Sequence, residues 1–82
     1  MTAHLFLFHS TVGVIQTRKA LQAADISFQV QDIPRQLRSG CGLCILLHCP
    51  PGEETRWVIP GQTAAIYRHD DAEWRCVSTW PA

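Results

Sequence analysis

Four cysteines, Cys41, Cys44, Cys49 and Cys76, are the residues of this 82-residue chain best equipped for covalent chemistry, and three of them fall within nine positions. Cys41 stands between Gly40 and Gly42, after a loop, Arg35-Gln-Leu-Arg-Ser-Gly40, that carries the cations Arg35 and Arg38. The thiolate is the nucleophilic form of cysteine, and nearby cations or a helix N-terminus favour it. Glycines on both sides allow a sharp backbone turn and leave the sulfur accessible. A small, half-buried thiol in a turn is the competing reading of the same residues.

The other cysteines and histidines weigh less. Cys41-Gly-Leu-Cys44 spells C-x-x-C, but redox motifs of this kind open a helix, and here an apolar strand follows. Three extended residues separate two Cα atoms by roughly 10 Å, whereas a disulfide spans at most about 7 Å. Cys41, Cys44, His48 and Cys49 have zinc-ligand chemistry. Along one strand, however, they point to alternating faces and do not converge, so no metal site is expected. His48 and Cys49 are read as the end of the strand, and Cys76 as packing near Trp74 and Trp80. His9 is either a solvated strand-end residue or a base close to the Cys41 sulfur. Trp57, Tyr67, Trp74 and Trp80 either pack on the sheet or leave an exposed patch for a partner protein.

The elements that must position these groups follow from hydrophobic periodicity. His4-Leu-Phe-Leu-Phe-His9 is apolar on both faces, as a central strand requires. Ser10-Thr11 supplies N-cap chemistry for a helix over 12–24, with Val14, Ile15, Leu21 and Ala24 facing inward. Residues 26–33 alternate as a half-buried edge strand that Pro34 ends. Residues 43–47 form a second strand apolar on both faces. Residues 53–59 have room for one or two helical turns before Pro60-Gly61 stops them. Residues 64–68 and 73–77 flank His69-Asp-Asp-Ala72 as a closing hairpin.

The order β-α-β-β-α-β plus a short last strand predicts an α+β two-layer sandwich of ferredoxin-like type over residues 1–82. Strands one and three lie inside and strands two and four outside. In that topology the end of strand one, the helix N-terminus and the 34–42 loop meet at one edge. His9, Ser10, Thr11, Arg35, Arg38, Ser39, Cys41 and Gly42 are then neighbours.

Composition sets the outer bounds. Seven Lys+Arg balance seven Asp+Glu, which leaves no electrostatic footprint for nucleic acid or an anionic membrane. The N-terminal apolar run is too short for an export signal or a membrane span, so a cytoplasmic protein with reduced thiols is expected. The length suits one small domain.

Residues 7–47 resemble a sulfur/selenium carrier-like family. The likeness runs through Phe8, Ser10-Thr11, Ile15, Leu21, Ala24, Ile26, Pro34-Arg35, Ser39 and Cys41-Gly42-Leu43, with Ile66-Tyr67 matching its closing strand. Asp25 departs from the glycine usual at the helix end, Arg18 replaces a common acidic residue, and Pro60 truncates the second helix. The resemblance implies that Cys41 is a carrier cysteine. It would be loaded as a persulfide or perselenide by a donor such as a cysteine desulfurase and unloaded by an acceptor protein, without a cofactor. The alternatives are a protein-interaction module with an incidental cysteine, and a C-x-x-C redox switch.

Overall fold

The computed structural model describes residues 1–37 and 41–82; Arg38, Ser39 and Gly40 lie outside the described residues. Five strands form one antiparallel sheet: β1 (Thr2–Phe8), β2 (Phe28–Asp32), β3 (Leu43–Cys49), β4 (Thr63–Asp70) and β5 (Glu73–Thr79). Their order is β2-β3-β1-β4-β5, so β1 is central and pairs with β3 on one side and β4 on the other. The α-helix α1 (Thr11–Ala23) crosses from β1 to β2, and short 3-10 helices occupy Arg35–Leu37 and Glu53–Trp57.

The double-sided apolar character of β1 and β3 has the predicted consequence. Leu5, Phe6, Leu7 and Phe8 are all at most 3% exposed, and their side chains alternate between two clusters. One face carries Phe6, Phe8, Ile45, Leu47 and Ile66 under Val14 and Leu21 of α1. The other carries Leu5, Leu7, Cys44 and Ala65, closed at one end by Leu37.

Three expectations change. The inward stripe of α1 is Gly13, Val14, Thr17 and Leu21, while Ile15 is 45% exposed and Ala24 faces water. At about 100° per residue, Ile15 is turned too far from Val14 to share its face. Gly13 is needed because the helix runs close to the sheet end: a Cβ there would meet Phe8 Cδ1 at 2.9 Å and Gln62 Cβ at 3.0 Å. Strand β4 is not an edge, because β5 pairs along it. Between β3 and β4 the predicted helix is only the five-residue turn Glu53–Trp57, ended by the extended Val58 and by Pro60.

Asp25 ends α1 in the left-handed region at φ 59°. Its N–H donates to the Gln22 carbonyl, and the Ile26 N–H donates to that of Leu21, a Schellman closure. The aromatic residues pack on the sheet: Trp57 and Trp80 against the helix-side cluster, Tyr67 and Trp74 against the other.

Candidate functional site

The β1–β3 register ends at Leu7↔Cys44. It therefore puts the Cys41-Gly42 turn and the His9-Ser10 turn at the same end of neighbouring strands. The Ile33 N–H donates to the Gly42 carbonyl at 3.1 Å, which clasps the loop between β2 and β3 at its base. Leu37 anchors the loop's middle in the far-side cluster. Gly42 adopts φ 76°, a conformation that suits glycine and lets the chain reverse straight into β3. Cys41 is half-buried, leans on the helix-side cluster, and donates its S–H to the Leu43 carbonyl at 3.2 Å. Arg35 is exposed in the same loop.

On the β1 side, Ser10 occupies the N-cap position with extended backbone, but its hydroxyl does not cap the helix. It donates instead to Gln62 Oε1 at 3.1 Å. The first turn of α1 has no acidic residue, and Thr11 is exposed at its start. Among the described residues, the positive end of the helix dipole thus has no acidic side chain in its first turn and no capping bond from Ser10. His9 is held twice, by its N–H on the Gln62 carbonyl and by Nε2 on the Trp80 carbonyl at 2.9 Å. A carbonyl can only accept, so Nε2 carries the proton and is not a free base.

The C-x-x-C pair is split by the sheet. Cys41 packs on the helix side, whereas Cys44 is fully buried in the opposite cluster. All four cysteines are free thiols. Burial, with smaller contributions from Cys41 and Asp32, pushes the Cys44 thiol up to about 11. Cys76 is exposed on the edge strand β5.

A second group of reactive side chains, at the other end of the sheet, escaped the sequence reading. His4, Cys49 and Glu54 come from β1, β3 and the Glu53–Trp57 turn, and all three are buried. His4 Nδ1 donates to the Thr2 carbonyl at 3.0 Å, and Nε2 accepts from Arg68 Nε at 3.1 Å. Glu54 Oε2 accepts from the Arg68 guanidinium at 3.1 Å, and Oε1 accepts from the Gly52 N–H at 2.7 Å. Cys49 Sγ lies 3.5 Å from His4 Nδ1.

Burial lowers the His4 pKa despite the Glu54 charge beside it, so the ring is neutral and the His4–Glu54 approach of 3.2 Å is no ion pair at neutral pH. Burial works to raise the Glu54 pKa. Backbone N–H donors, then His4 and Arg68, outweigh it and keep the carboxylate ionised. The available signal was a histidine at position 4 sharing a strand face with Phe6 and Phe8, where a buried polar group needs partners.

Comparison with known proteins places this geometry. A family profile described as "Putative Se/S carrier protein-like" matches residues 3–68, which include both turns and the Cys41 loop. The chain belongs to this family. Within it, this carrier-like protein is 69% identical over 78 residues to "Uncharacterized protein YtiA" of Escherichia coli (strain K12), covering 95% of the chain and 92% of that protein. No solved structure gave a significant match. Among the described residues, no helix is long and apolar enough to cross a membrane.

Proposed function

We propose that the protein is a sulfur or selenium carrier in which Cys41 is the relay nucleophile. The observation that carries this reading is positional. Within a family described as carrier-like, Cys41 is a half-buried thiol at the sheet end where α1 starts, and the N-cap residue Ser10 makes no capping bond there. Cys44 is fully buried, Cys49 is buried at the opposite end of β3, and Cys76 lies on the outermost strand.

The Cys41 thiolate attacks the terminal sulfur of a donor persulfide such as that of a cysteine desulfurase. The new S–S bond forms as the donor's S–S bond breaks, and the donor leaves as a thiolate. The sulfur arrives as sulfane sulfur on Cys41 with no change in total oxidation state. Attack by an acceptor on that sulfur releases Cys41 again. In this reading Arg35, Arg38 and the Ser10-Thr11 helix start stabilise the anionic persulfide or perselenide, with Ser39 and Gly42 completing the binding residues around Cys41. His9 positions this edge by tying it to Trp80 through its Nε2–H. The fold proposed to underlie the site is a ferredoxin-like sandwich whose second helix has contracted to one short turn, and the proposed place of action is the cytoplasm.

The test is to incubate the protein with a desulfurase and free cysteine, then read intact mass and the modified peptide. One added sulfur on Cys41, lost in Cys41→Ser and kept in Cys44→Ser, is the expected result. No adduct, or one spread evenly over Cys44, Cys49 and Cys76, overturns the relay.

A further inference from the structure

At the end of the sheet remote from Cys41, the cluster His4–Cys49–Glu54–Arg68 has the chemistry of a cation site already holding a cation. His4 Nε2 and Glu54 Oε1 lie 3.2 Å apart. The Arg68 guanidinium bridges the two side chains, donating through Nε to His4 Nε2 and through a terminal nitrogen to Glu54 Oε2. Each acceptor is fixed from behind. The His4 Nδ1–H is spent on the Thr2 carbonyl, and Glu54 Oε1 takes the Gly52 N–H. Orientation of a ligating histidine through its other ring N–H is the usual support of a metal ligand.

Donor atoms of His4, Cys49 and Glu54 all lie within 4.8 Å of one another. Ligands sharing one tetrahedral zinc, with bonds of about 2.0–2.3 Å, stand about 3.2–3.7 Å apart. Three donors from three separate segments converge here, which four ligands along β3 could not do. A nitrogen, a thiolate sulfur and a carboxylate oxygen together suit zinc better than calcium or magnesium.

A nucleophilic Cys–His–Glu unit is the other reading of the same residues, and the hydrogen bonding opposes it. The His4 nitrogen nearest Cys49 is the one whose proton points at Thr2, so it has no lone pair to accept the thiol proton.

We infer that His4, Cys49 and Glu54 form a zinc site that Arg68 occupies in the metal-free protein. Charge is conserved in the exchange. Glu54 and Arg68 sum to zero before it, and Zn²⁺ with the Glu54 carboxylate and the Cys49 thiolate sum to zero after it. The Cys49 proton goes to solvent, and Arg68, whose side chain is 31% exposed, swings outward. Cys49 also lines a cavity of about 230 Å³ with Ile26, Leu47, Glu53, Arg56 and Trp57, so the sulfur side of the site borders open space. This site and the Cys41 relay lie at opposite ends of β3 and stand or fall separately.

The experiment uses untagged, chelator-treated full chain titrated with Zn²⁺ against a chromophoric chelator and, separately, with Co²⁺. One ion per chain is expected. The Co²⁺ complex should show a thiolate charge-transfer band that Cys49→Ser abolishes and that Cys41→Ser and Cys76→Ser retain. Arg68→Met removes the competing cation and should tighten zinc binding roughly tenfold or more, the scale of neighbour effects on metal affinity. It should also lower the melting temperature of the apo protein, with zinc restoring it. A band that persists in Cys49→Ser or follows Cys41, no binding at one ion per chain, or an unchanged zinc affinity in Arg68→Met overturns the site. Should Cys49→Ser fail to fold by circular dichroism, the Arg68→Met affinity decides.

Discussion

Cys44 and Cys41 stand three residues apart, yet the sheet gives them different chemistry. A thiol titrating at about 11 is thiolate in roughly one molecule in three thousand at pH 7.5, and Cys44 is also fully buried. Burial raises the Cys49 pKa as well. In native protein a brief iodoacetamide pulse at pH 7.5 should therefore modify Cys41 and Cys76 and spare Cys44 and Cys49. All four should react once the chain is unfolded in guanidinium. Peptide mass mapping reads the result, and native labelling of Cys44 at the rate of Cys76 would contradict the burial. The rejection of a C-x-x-C disulfide was legible at this scale, since an extended backbone sends nearby residues to different faces. The partner of His9 was not legible, because Trp80 is 71 positions away.

Helix α1 carries two positions where the usual rules of helix substitution act with opposite signs. Gly13→Ala ordinarily gains about 1 kcal/mol in a helix. Here the new Cβ would lie 2.9 Å from Phe8 Cδ1 and 3.2 Å from the Gln62 carbonyl oxygen. Overpacking of that kind costs about 1–3 kcal/mol, so the variant should be less stable in urea denaturation. Asp25→Gly acts the other way. It relieves an L-residue held at φ 59° while keeping both closing hydrogen bonds, and should stabilise by about 0.5–1 kcal/mol. A lowered urea midpoint for Gly13→Ala and a raised one for Asp25→Gly would fit; a stabilising Gly13→Ala would show that α1 sits further from the sheet end. The location of α1 was readable from Ser10-Thr11 and the apolar spacing. Its inward stripe was only half readable, because the register of the helix against the sheet is set by the close approach at Gly13.

Across the whole molecule, the buried polar cluster ties three segments together and makes stability depend on acidity. The folded His4 pKa is below 6.5, so below pH 6.5 the unfolded chain binds the proton more readily and stability falls as pH drops. The folded Glu54 pKa is below 4.5, so its contribution is present above 4.5 and is lost as pH falls through the folded value. With chelator present, the melting temperature of the natural protein should decline in two stages, below about 6.5 and again below about 4.5. His4→Gln should flatten the first stage and Glu54→Gln the second, each from a lower starting stability, since a buried polar group then loses partners. Thermal melts from pH 7.5 to 3.5 check this. An unchanged first stage in His4→Gln would assign it to another histidine.

Period-two and helical patterning determined a great deal of this protein without any coordinates. The double-sided apolar runs fixed β1 and β3 as interior strands, the alternation at 26–33 made β2 an edge, and Pro34-Arg35 with Cys41-Gly42 marked the candidate loop and the family. These signals are local, because each depends on which face of one strand or helix a side chain takes. The tertiary structure alone decided that Ser10 and His9 serve Gln62 and Trp80, and that His4, Cys49, Glu54 and Arg68 share one buried site. His4 and Arg68 are separated by 64 positions, and only the antiparallel pairing of β1 with β3 and β4 brings the members of that site to hydrogen-bond length.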